Sequence, residues 1–483
     1  MSTTVCMFVY NNCTTDARVL KEAASLVKGG YQVRIIAVMD NGVQPYEVRD
    51  GIEIFRVIKN PLHYRIFNGD LFFDLFKPKQ KDIIKKLRAN YLKQSDQSGA
   101  SKTASNKKKS LRKQPLPELL ASFKSDLKSN PGQLILYKWL FYFFIFLSRL
   151  FRLIFLMPLK SIFMVVHKPL CFYDFYKRSL ILNKEEPSDI YHGHDLHTVP
   201  TAYRTAKLTN SKVVYDAHEL YTEMSGLKPV ERKFYTRFER KYAPKVDALI
   251  TVNESIANEL VERYKLNRKP DIIYNCPEVN DNIVTTKNDE LRERLNLSPE
   301  TKIVLYQGGF TINRGLYKLI QAAQYINDNA KVVYMGWGKI EDDLKAEVAK
   351  YNLQDKVLFT PGVPQKELLN NSKSAQVGVI PYQFVGLNNY YTSPNKLFEY
   401  INANVPIAGS DFPELKRVIN KYTIGETFDP EDPKSIAAAI NKILDNENYY
   451  LQLKENTKFA AKDFTWDKEE EKLLAIYDRI TNG

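Results

Sequence analysis

Short apolar segments alternate with amphipathic segments along most of this chain, and this alternation limits the folds that the chain can adopt. The first apolar segment is residues 4–10, TVCMFVY, and an amphipathic segment follows at residues 17–30. The alternation stops after residue 58, resumes at residue 189, and stops again between residues 275 and 302. Strands that alternate with helices predict parallel sheets with helices on both faces. We therefore predict an α/β protein with two doubly wound domains.

The interruptions predict the domain boundaries. With 483 residues, the chain is long enough for two domains of ordinary size and an additional segment. We expect an N-terminal domain over residues 1–275, a hinge over residues 276–299 and a C-terminal domain over residues 300–460. Because the pattern resumes after its first interruption, we also expect an insertion, about residues 60–178, within the N-terminal domain.

The positive charge of the chain is concentrated in this insertion. The formal net charge is +14, and residues 60–178 hold 23 Lys and Arg against 7 Asp and Glu, a surplus of 16 that leaves −2 for the remainder. Residues 93–115 are rich in Ser and Lys without periodic apolar residues, which predicts a poorly ordered tether. Enzymes that act on nucleic acids usually spread basic charge over their binding cleft, so this distribution predicts no nucleic-acid partner.

Residues 134–166 form the most apolar stretch of the chain. Lys138, Arg149, Arg152 and Lys160 interrupt it, so a helix that spans the bilayer is disfavoured. On a helix these cations fall within an arc of about 80°, which predicts a helix lying in the plane of an anionic membrane surface. A buried core helix is the alternative. We expect a cytoplasmic protein attached peripherally to the inner face of the cell membrane.

The cysteines and the first residues agree with a cytoplasmic location. Cys6, Cys13, Cys171 and Cys276 are widely spaced and include no CxxC pair, so neither a zinc site nor a disulfide framework is predicted. The segment MSTTVCMFVYNN reads as a first strand and lacks the features of an export signal. The loop NNCTTDARV contains no glycine, which argues against a dinucleotide-binding dehydrogenase.

The segment from Ser393 to Leu415, SPNKLFEYINANVPIAGSDFPEL, predicts an anion-binding site. Ser393 as N-cap and Pro394 at the first helical position predict a helix start, whose free N–H groups and dipole attract anions. Lys396 adds a full charge, and Glu399 lies on the same helical face. An exposed Lys–Glu pair is the alternative interpretation.

This segment resembles the donor-binding segment of nucleotide-sugar glycosyltransferases of the GT-B fold, in particular family four. The resemblance implies two Rossmann-like domains that face a cleft, with the last helix, residues 461–483, packed back on the N-terminal domain. It also implies that Lys396 contacts the diphosphate of the donor and that Glu399 contacts the ribose hydroxyls. Many members have a further glutamate eight residues before the second one, where this chain has Tyr391.

Further donor-binding residues follow from the same resemblance. Arg314 resembles a second cation for the diphosphate, Gly336 is expected near the base, and glycines let the backbone approach a ligand closely. Plain turn glycines are the alternative. The residues expected to bind the donor are Gly308, Gly309, Arg314, Gly336, Ser393, Asn395, Lys396 and Glu399.

The HGHD sequence at residues 192–195 ends a strand, where open sheets place their active sites. The resemblance implies that His194 faces the reacting sugar, with Asp195 beside it, as the catalytic residues. A buried structural histidine and a zinc site shared with His192 are the alternatives. We expect the imidazoles of His192 and His194 to point to opposite faces of the strand, which disfavours zinc.

Four residues are expected on the acceptor side of the cleft. Asp16 and Arg18 follow the first strand, and His218 and Glu219 end the strand-like sequence KVVYDAHE. For the first pair, the alternative is a carboxylate at a helix start beside a surface arginine. For the second pair, it is a capped helix start.

By resemblance, the chain is predicted to be a retaining glycosyltransferase. No DxD sequence is flanked by strand residues, so we expect transfer without a metal ion, and we expect no other cofactor. The predicted donor is a nucleotide sugar, and the predicted acceptor is a polysaccharide or a lipid-linked glycan of the bacterial cell envelope. The alternatives are a nucleotide-sugar epimerase on the same fold and a non-catalytic membrane scaffold.

Overall fold

A computed structural model describes residues 2–68, 82, 87–89, 142–147, 150, 163, 166–278 and 289–482 of the chain. The tether predicted over residues 93–115 lies outside the described residues. So do residues 279–288 of the predicted hinge and most of the apolar stretch at residues 134–166. Among the residues that are described, no helix combines the length and the apolar character needed to cross a membrane.

The described residues contain fourteen strands and sixteen α-helices. The strands are β1 (Thr4–Phe8), β2 (Gln32–Met39), β3 (Tyr46–Arg49), β4 (Ile52–Ile58), β5 (Ile190–His194), β6 (Lys212–Ala217), β7 (Ala248–Thr251), β8 (Asp271–Ile272), β9 (Lys302–Gln307), β10 (Ala330–Met335), β11 (Val357–Thr360), β12 (Val377–Ile380), β13 (Ile407–Ser410) and β14 (Gly425–Phe428). The helices are Ala17–Lys28, Leu62–Asn68, His167–Glu185, Val199–Thr209, Pro229–Tyr242, Glu254–Tyr264, Glu290–Arg294, Leu316–Ala322, Glu341–Lys350, Gln365–Ser372, Leu387–Tyr390, Asn395–Asn402, Pro413–Tyr422, Pro433–Asp445, Glu447–Ala461 and Trp466–Asn482.

The chain forms two compact units. The larger unit comprises Met1–Ile35, Asp50–Ile52 and Ser188–Gly483, and the smaller unit comprises Ile36–Arg49 and Glu53–Pro187. The smaller unit therefore includes the whole range, residues 60–178, that was predicted as an insertion. The two domains predicted from the alternation of strands and helices lie mainly in the larger unit.

In the N-terminal sheet, the carboxyl ends of β5 and β6 lie side by side. In the larger unit, β1, β5, β6, β7 and β8 are neighbours in that order, and each neighbouring pair is parallel. At the carboxyl ends of β5 and β6, His194 is in register with Asp216. Carboxyl ends of neighbouring parallel strands share one edge of the sheet, where such sheets bind ligands.

The C-terminal sheet is parallel throughout and buried on both faces. Its strand order is β11-β10-β9-β12-β13-β14. Successive residues of β9 pack into different apolar clusters, Ile303 and Leu305 into one and Val304 and Tyr306 into the other. This two-sided burial explains why the strand sequence KIVLYQ is almost continuously apolar. The prediction of two doubly wound α/β domains is confirmed.

The last helix, Trp466–Asn482, lies against the first helix and the N-terminal sheet. The indole Nε1 of Trp466 donates a hydrogen bond to Ser25 Oγ at 2.9 Å. The hydroxyl of Tyr477 lies 2.7 Å from His192 Nδ1 on β5. This helix therefore connects the end of the chain to the buried polar groups beneath the strand ends.

Candidate functional site

A cavity of about 760 Å³ lies within the larger unit, at the carboxyl-end loops of its two sheets. Eleven of the fourteen residues selected from the sequence line it: Asp16, Arg18, His218, Glu219, Gly308, Gly309, Arg314, Ser393, Asn395, Lys396 and Glu399. His194, Asp195 and Gly336 do not line it. The cavity thus brings together residues that are almost 400 positions apart in the chain.

The helix that enters the cavity begins one residue later than predicted. Its first residue is Asn395, and Pro394 is the N-cap, with φ −70° and ψ 148°. Ser393 therefore does not cap the helix, and its hydroxyl instead donates to Val252 O at 3.3 Å and accepts from Asn253 Nδ2 at 3.1 Å. The extended ψ of Pro394 keeps the residues before it out of the helix. Ser393 fixes the loop to the N-terminal domain.

Lys396 is buried and packs against aromatic rings. Its side chain is 7% exposed, and Nζ lies 3.7 Å from the ring centroid of Tyr306 and 5.3 Å from that of Tyr382. Within the described part of the chain it forms no ion pair with Glu399, so the alternative of an exposed Lys–Glu pair does not hold. Burial, and then the neighbouring Arg314, hold the pKa of Lys396 well below its ordinary value.

Arg314 reaches the same end of the cavity. Its guanidinium lies 4.2 Å from the ring centroid of Tyr382, the aromatic residue that Lys396 also approaches. Two cations that are held close together repel each other, and an anion placed between them relieves that repulsion. This end of the cavity is therefore suited to a diphosphate.

Glu399 is oriented by two residues that the sequence interpretation did not select. Its Oε2 accepts a hydrogen bond from Gln307 Nε2 at 2.6 Å, and Gln307 Oε1 accepts one from Ser372 Oγ at 2.6 Å. Burial raises the pKa of Glu399. A carboxylate held in one orientation is suited to accept hydrogen bonds from hydroxyl groups of a ligand. Gln307 ends β9, and its position at a strand end is the signal that would have identified it.

The glycines of the cavity lie close to the cations. Gly308 has φ +120°, and a Cβ at this position would lie 3.4 Å from Lys396 Nζ. Gly336 was predicted near the base, but it packs behind the loop, because a Cβ there would lie 2.0 Å from Gly308 O. Gly336 thus permits the close approach of two strand ends and does not contact the cavity.

On the other side of the cavity, Arg18 belongs to a buried ion network. Its guanidinium donates two hydrogen bonds to Asp216, at 2.7 and 2.9 Å, and its Nε lies 3.0 Å from Glu22 Oε1. Arg18 is 4% exposed, so the alternative of a surface arginine is wrong. Asp16 is the N-cap of the helix Ala17–Lys28, and its carboxylate accepts from Val19 N.

His218 is the histidine that lines the cavity, and it is held as an imidazolium. Its Nε2 lies 3.0 Å from Asp216 Oδ2, and its Nδ1 lies 3.6 Å from Asp195 Oδ2. Burial opposes the charge, but the two carboxylates outweigh burial and raise the pKa of His218 to about 10. A positively charged imidazolium therefore lines the cavity at neutral pH.

His194 lies behind His218 and does not line the cavity. It is 1% exposed, and its Nδ1 lies 3.1 Å from His218 Nε2. The physical reason is that His194 is on the buried last position of β5, in register with Asp216. Asp195 follows His194 with φ +61°, and its carboxylate lies close to His218.

The expectation that His192 and His194 point to opposite faces of β5 is wrong. Their rings stack at 4.1 Å, since residues two apart on a strand share a face. With Glu22 and Asp216 they offer four ligand atoms within 4.8 Å of one another. Arg18, however, already places a permanent cation 3.0 Å from Glu22 and 2.7 Å from Asp216, which opposes the binding of a metal ion.

Asn388 connects the two sides of the cavity. Its amide Nδ2 donates to Glu219 Oε2 at 2.7 Å, and its Oδ1 accepts from Leu220 N at 2.9 Å. Tyr391 does not line the cavity, and its carbonyl accepts from Asn253 Nδ2 at 2.6 Å. The neutral residues Asn388 and Asn389 therefore line the wall close to the position where the family has a glutamate.

Two family models match this chain. Residues 287–459 match the family described as glycosyl transferases group 1, and residues 157–279 match the family described as glycosyltransferase family 4. The glycosyltransferase MJ1607 of Methanocaldococcus jannaschii, which is described as uncharacterized, is 25% identical over 301 residues, 60% of this chain and 75% of that protein.

Solved structures share the fold over nearly the whole chain. Sucrose-phosphate synthase from Thermosynechococcus elongatus superposes with a TM-score of 0.65 at 14% identity, covering 99% of both chains. Anabaena Alr3699/HepE in complex with UDP superposes with a TM-score of 0.59 at 9% identity, covering 99% of this chain and 98% of that one.

Proposed function

Since the chain is a glycosyltransferase of the GT-B fold, we propose that it transfers a glycosyl unit from a nucleotide sugar with retention of the anomeric configuration and without a metal ion. The observation that carries the proposal is the pair of cations at one end of the cavity. Lys396 and Arg314 lie beside the start of a helix, with the oriented carboxylate of Glu399 next to them. This set matches the charges of a nucleoside diphosphate.

The donor half of the site stabilises the leaving group. We assign the diphosphate to Lys396 and Arg314, helped by the free N–H groups of the helix that starts at Asn395. Glu399 accepts hydrogen bonds from the ribose hydroxyls. Gly308 and Gly309 let the backbone come close to the phosphates. These groups stabilise the negative charge that develops on the diphosphate as its bond to the sugar breaks. They thereby take the role that a metal ion would otherwise have.

The acceptor half of the site orients the reacting groups. We assign the contact with the sugar to His218, whose imidazolium is held by Asp195 and Asp216, and a positioning role to His194 behind it. Glu219, fixed by Asn388, faces the same space. The acceptor hydroxyl attacks the anomeric carbon on the face from which the diphosphate leaves, through an oxocarbenium-like state and without an enzyme nucleophile.

A donor screen followed by product analysis tests this function. We expect UDP, GDP or ADP to raise the melting temperature, because a ligand at about 100 times its Kd stabilises the folded state by about 2.7 kcal/mol. With the matching nucleotide sugar and an acceptor, NMR of the anomeric proton should show the same anomeric configuration in donor and product. Inversion would refute retention, and failure of all three nucleotides would refute the proposal. Conversion of the nucleotide sugar without an acceptor would identify an epimerase instead.

We further propose that the enzyme attaches peripherally to the inner face of the membrane and glycosylates a lipid-linked acceptor of the cell envelope. The support is the charge surplus of 16 in residues 60–178 and the apolar stretch at residues 134–166. We expect full-length protein to float with vesicles that contain anionic lipid, and a version that lacks residues 93–166 to remain in the soluble fraction. Equal behaviour of the two proteins would remove this segment as the anchor. Neutral vesicles serve as the control.

A further inference from the structure

The smaller unit brings together two histidines and one cysteine, none of which lines the cavity. His63 lies on the helix Leu62–Asn68, and His167 and Cys171 lie on the helix His167–Glu185. The last two are four residues apart, so their side chains project from one face of that helix. The proposed transfer reaction uses none of the three. The four cysteines taken alone predicted no zinc site, because the sequence does not show which histidines lie next to Cys171.

The distances within this cluster differ by about 0.5 Å or less from those expected around a tetrahedral zinc ion, which would replace the hydrogen bond between His63 and His167. His63 Nε2 lies 2.8 Å from His167 Nδ1, and Cys171 Sγ lies 3.7 Å from His167 Nδ1. The three residues offer ligand atoms that all lie within 4.8 Å of one another. Zinc bonds of about 2.0 Å to nitrogen and about 2.3 Å to sulfur imply separations of about 3.3 Å between two nitrogens and about 3.6 Å between nitrogen and sulfur.

Two of the three residues are buried, and one nitrogen of the cluster lacks a described hydrogen bond. His63 is 1% exposed and Cys171 is 2% exposed. The other ring nitrogen of His63, Nδ1, is buried and has no hydrogen-bond partner in the described part of the structure. A buried polar atom without a partner costs free energy and is uncommon in folded proteins. Rotation of the ring onto a metal ion would give one of its nitrogens a strong partner.

We propose that His63, His167 and Cys171 bind one zinc ion, with water at the fourth position. Two neutral imidazoles and one thiolate form a ligand set that zinc prefers and that magnesium and calcium do not. The Cys171 thiol loses its proton to the solvent when the Zn–S bond forms, and the imidazoles bind through nitrogen lone pairs without net proton loss.

Such an ion would fasten the two ends of the inserted segment. The two histidines are 104 residues apart in the chain. Close to them in sequence, Asn60 N donates a hydrogen bond to Asp174 Oδ2 at 3.0 Å, so the metal ion would lie where the two ends of the segment are already joined. A cross-link that closes a long loop removes more conformational entropy from the unfolded chain than one that closes a short loop. Zinc would therefore stabilise the base of the insertion, and this role does not depend on which donor or acceptor the enzyme uses.

Cobalt substitution of the full-length protein tests the site. After chelation and reloading with Co²⁺, we expect one metal ion per chain and a thiolate-to-cobalt charge-transfer band with the visible absorption of tetrahedral cobalt. The Cys171→Ser variant should lose the charge-transfer band, and His167→Gln should weaken Zn²⁺ binding by at least about tenfold. Cys276→Ser, which changes a buried cysteine outside the cluster, should retain the band and the affinity.

Two results would overturn the site. One is the absence of stoichiometric metal after reloading, and the other is an unchanged charge-transfer band in Cys171→Ser. Cobalt bound at Glu22, His192, His194 and Asp216 would give no such band, because that cluster contains no thiol. If Cys171→Ser does not fold, as judged by circular dichroism, His167→Gln carries the test through its Zn²⁺ affinity. These measurements do not depend on transferase activity, so their failure would leave the proposed function standing.

Discussion

We expect the Lys396→Met variant to lose about 10²–10³-fold in kcat/KM, the usual consequence of removing one group that stabilises developing charge. Lys396 faces the cavity at the start of the helix Asn395–Asn402, next to Arg314, so its charge is available for the departing diphosphate. Methionine keeps the length of the side chain and its packing on Tyr306 but removes the charge. Transfer rates at several donor concentrations, with the Kd of the nucleoside diphosphate, measure the loss.

The same variant should be at least as stable as the wild-type protein. Folding buries the ammonium group and lowers its pKa, so the folded state disfavours the charge that methionine removes. Binding of a diphosphate favours the charged lysine, and wild-type affinity should therefore fall as the pH rises through the lowered pKa, below the ordinary value of 10.5. Lys396→Met should lack this component of the pH dependence.

Lys350→Met is the matched control, because Lys350 is 62% exposed on a helix of the same domain. It should change neither the rate nor the nucleotide affinity. Wild-type turnover in Lys396→Met would remove the lysine from the reaction. A drop in melting temperature as large as that of a core substitution would show that the buried charge supports the fold instead.

The end of the cavity lined by Lys396 and Glu399 could be predicted because these residues are close together in the sequence. Lys396 and Glu399 are one helical turn apart, and a helix start, a cation and a carboxylate form a local pattern. The boundary was wrong by one residue, because Ser393 is a favoured N-cap residue type and the sequence does not show where its hydroxyl bonds. In the structure this hydroxyl bonds to Val252 and Asn253, the second of which is 140 residues away.

The acceptor side could be predicted only in part, because long-range contacts determine it. Arg18 and His218 were selected, but Asp216, which binds both, was not, and 198 residues separate it from Arg18. The position of His194 behind His218 has the same origin. Both histidines end strands in the sequence, and only the register of β5 with β6 decides which of them is covered.

The largest stability loss should come from Asp216→Asn. Asp216 is fully buried and accepts two hydrogen bonds from Arg18, and its Oδ2 lies 3.0 Å from His218 Nε2. The amide would leave a guanidinium and an imidazolium buried without this counter-charge, and breaking a buried ion pair on one side costs about 3–5 kcal/mol. Glu22 would offset part of the cost. Burial and the nearby Asp216 raise the pKa of Glu22 to about 8. Removing the charge of Asp216 therefore favours ionisation of Glu22, which then supplies part of the missing negative charge.

Urea unfolding at neutral pH measures the loss, and Asp271→Asn is the control with the same chemical change. Asp271 pairs with Arg479 at 2.6 Å, but both side chains are partly exposed, so loss of this ion pair should cost less than about 1 kcal/mol.

The pKa of Asp216 in the folded protein lies well below 3.8, so the stability that Asp216 contributes is fully present at neutral pH and disappears as the pH falls below 3.8. The difference in stability between the wild-type protein and Asp216→Asn should therefore become smaller in acid.

Asp216→Asn should also lower the pKa of His218, because Asp216 is one of the two carboxylates that raise it. NMR titration of the imidazole can follow this change. Equal stability losses in the two variants, or an unchanged His218 pKa, would show that Asp216 does not hold the acceptor side together.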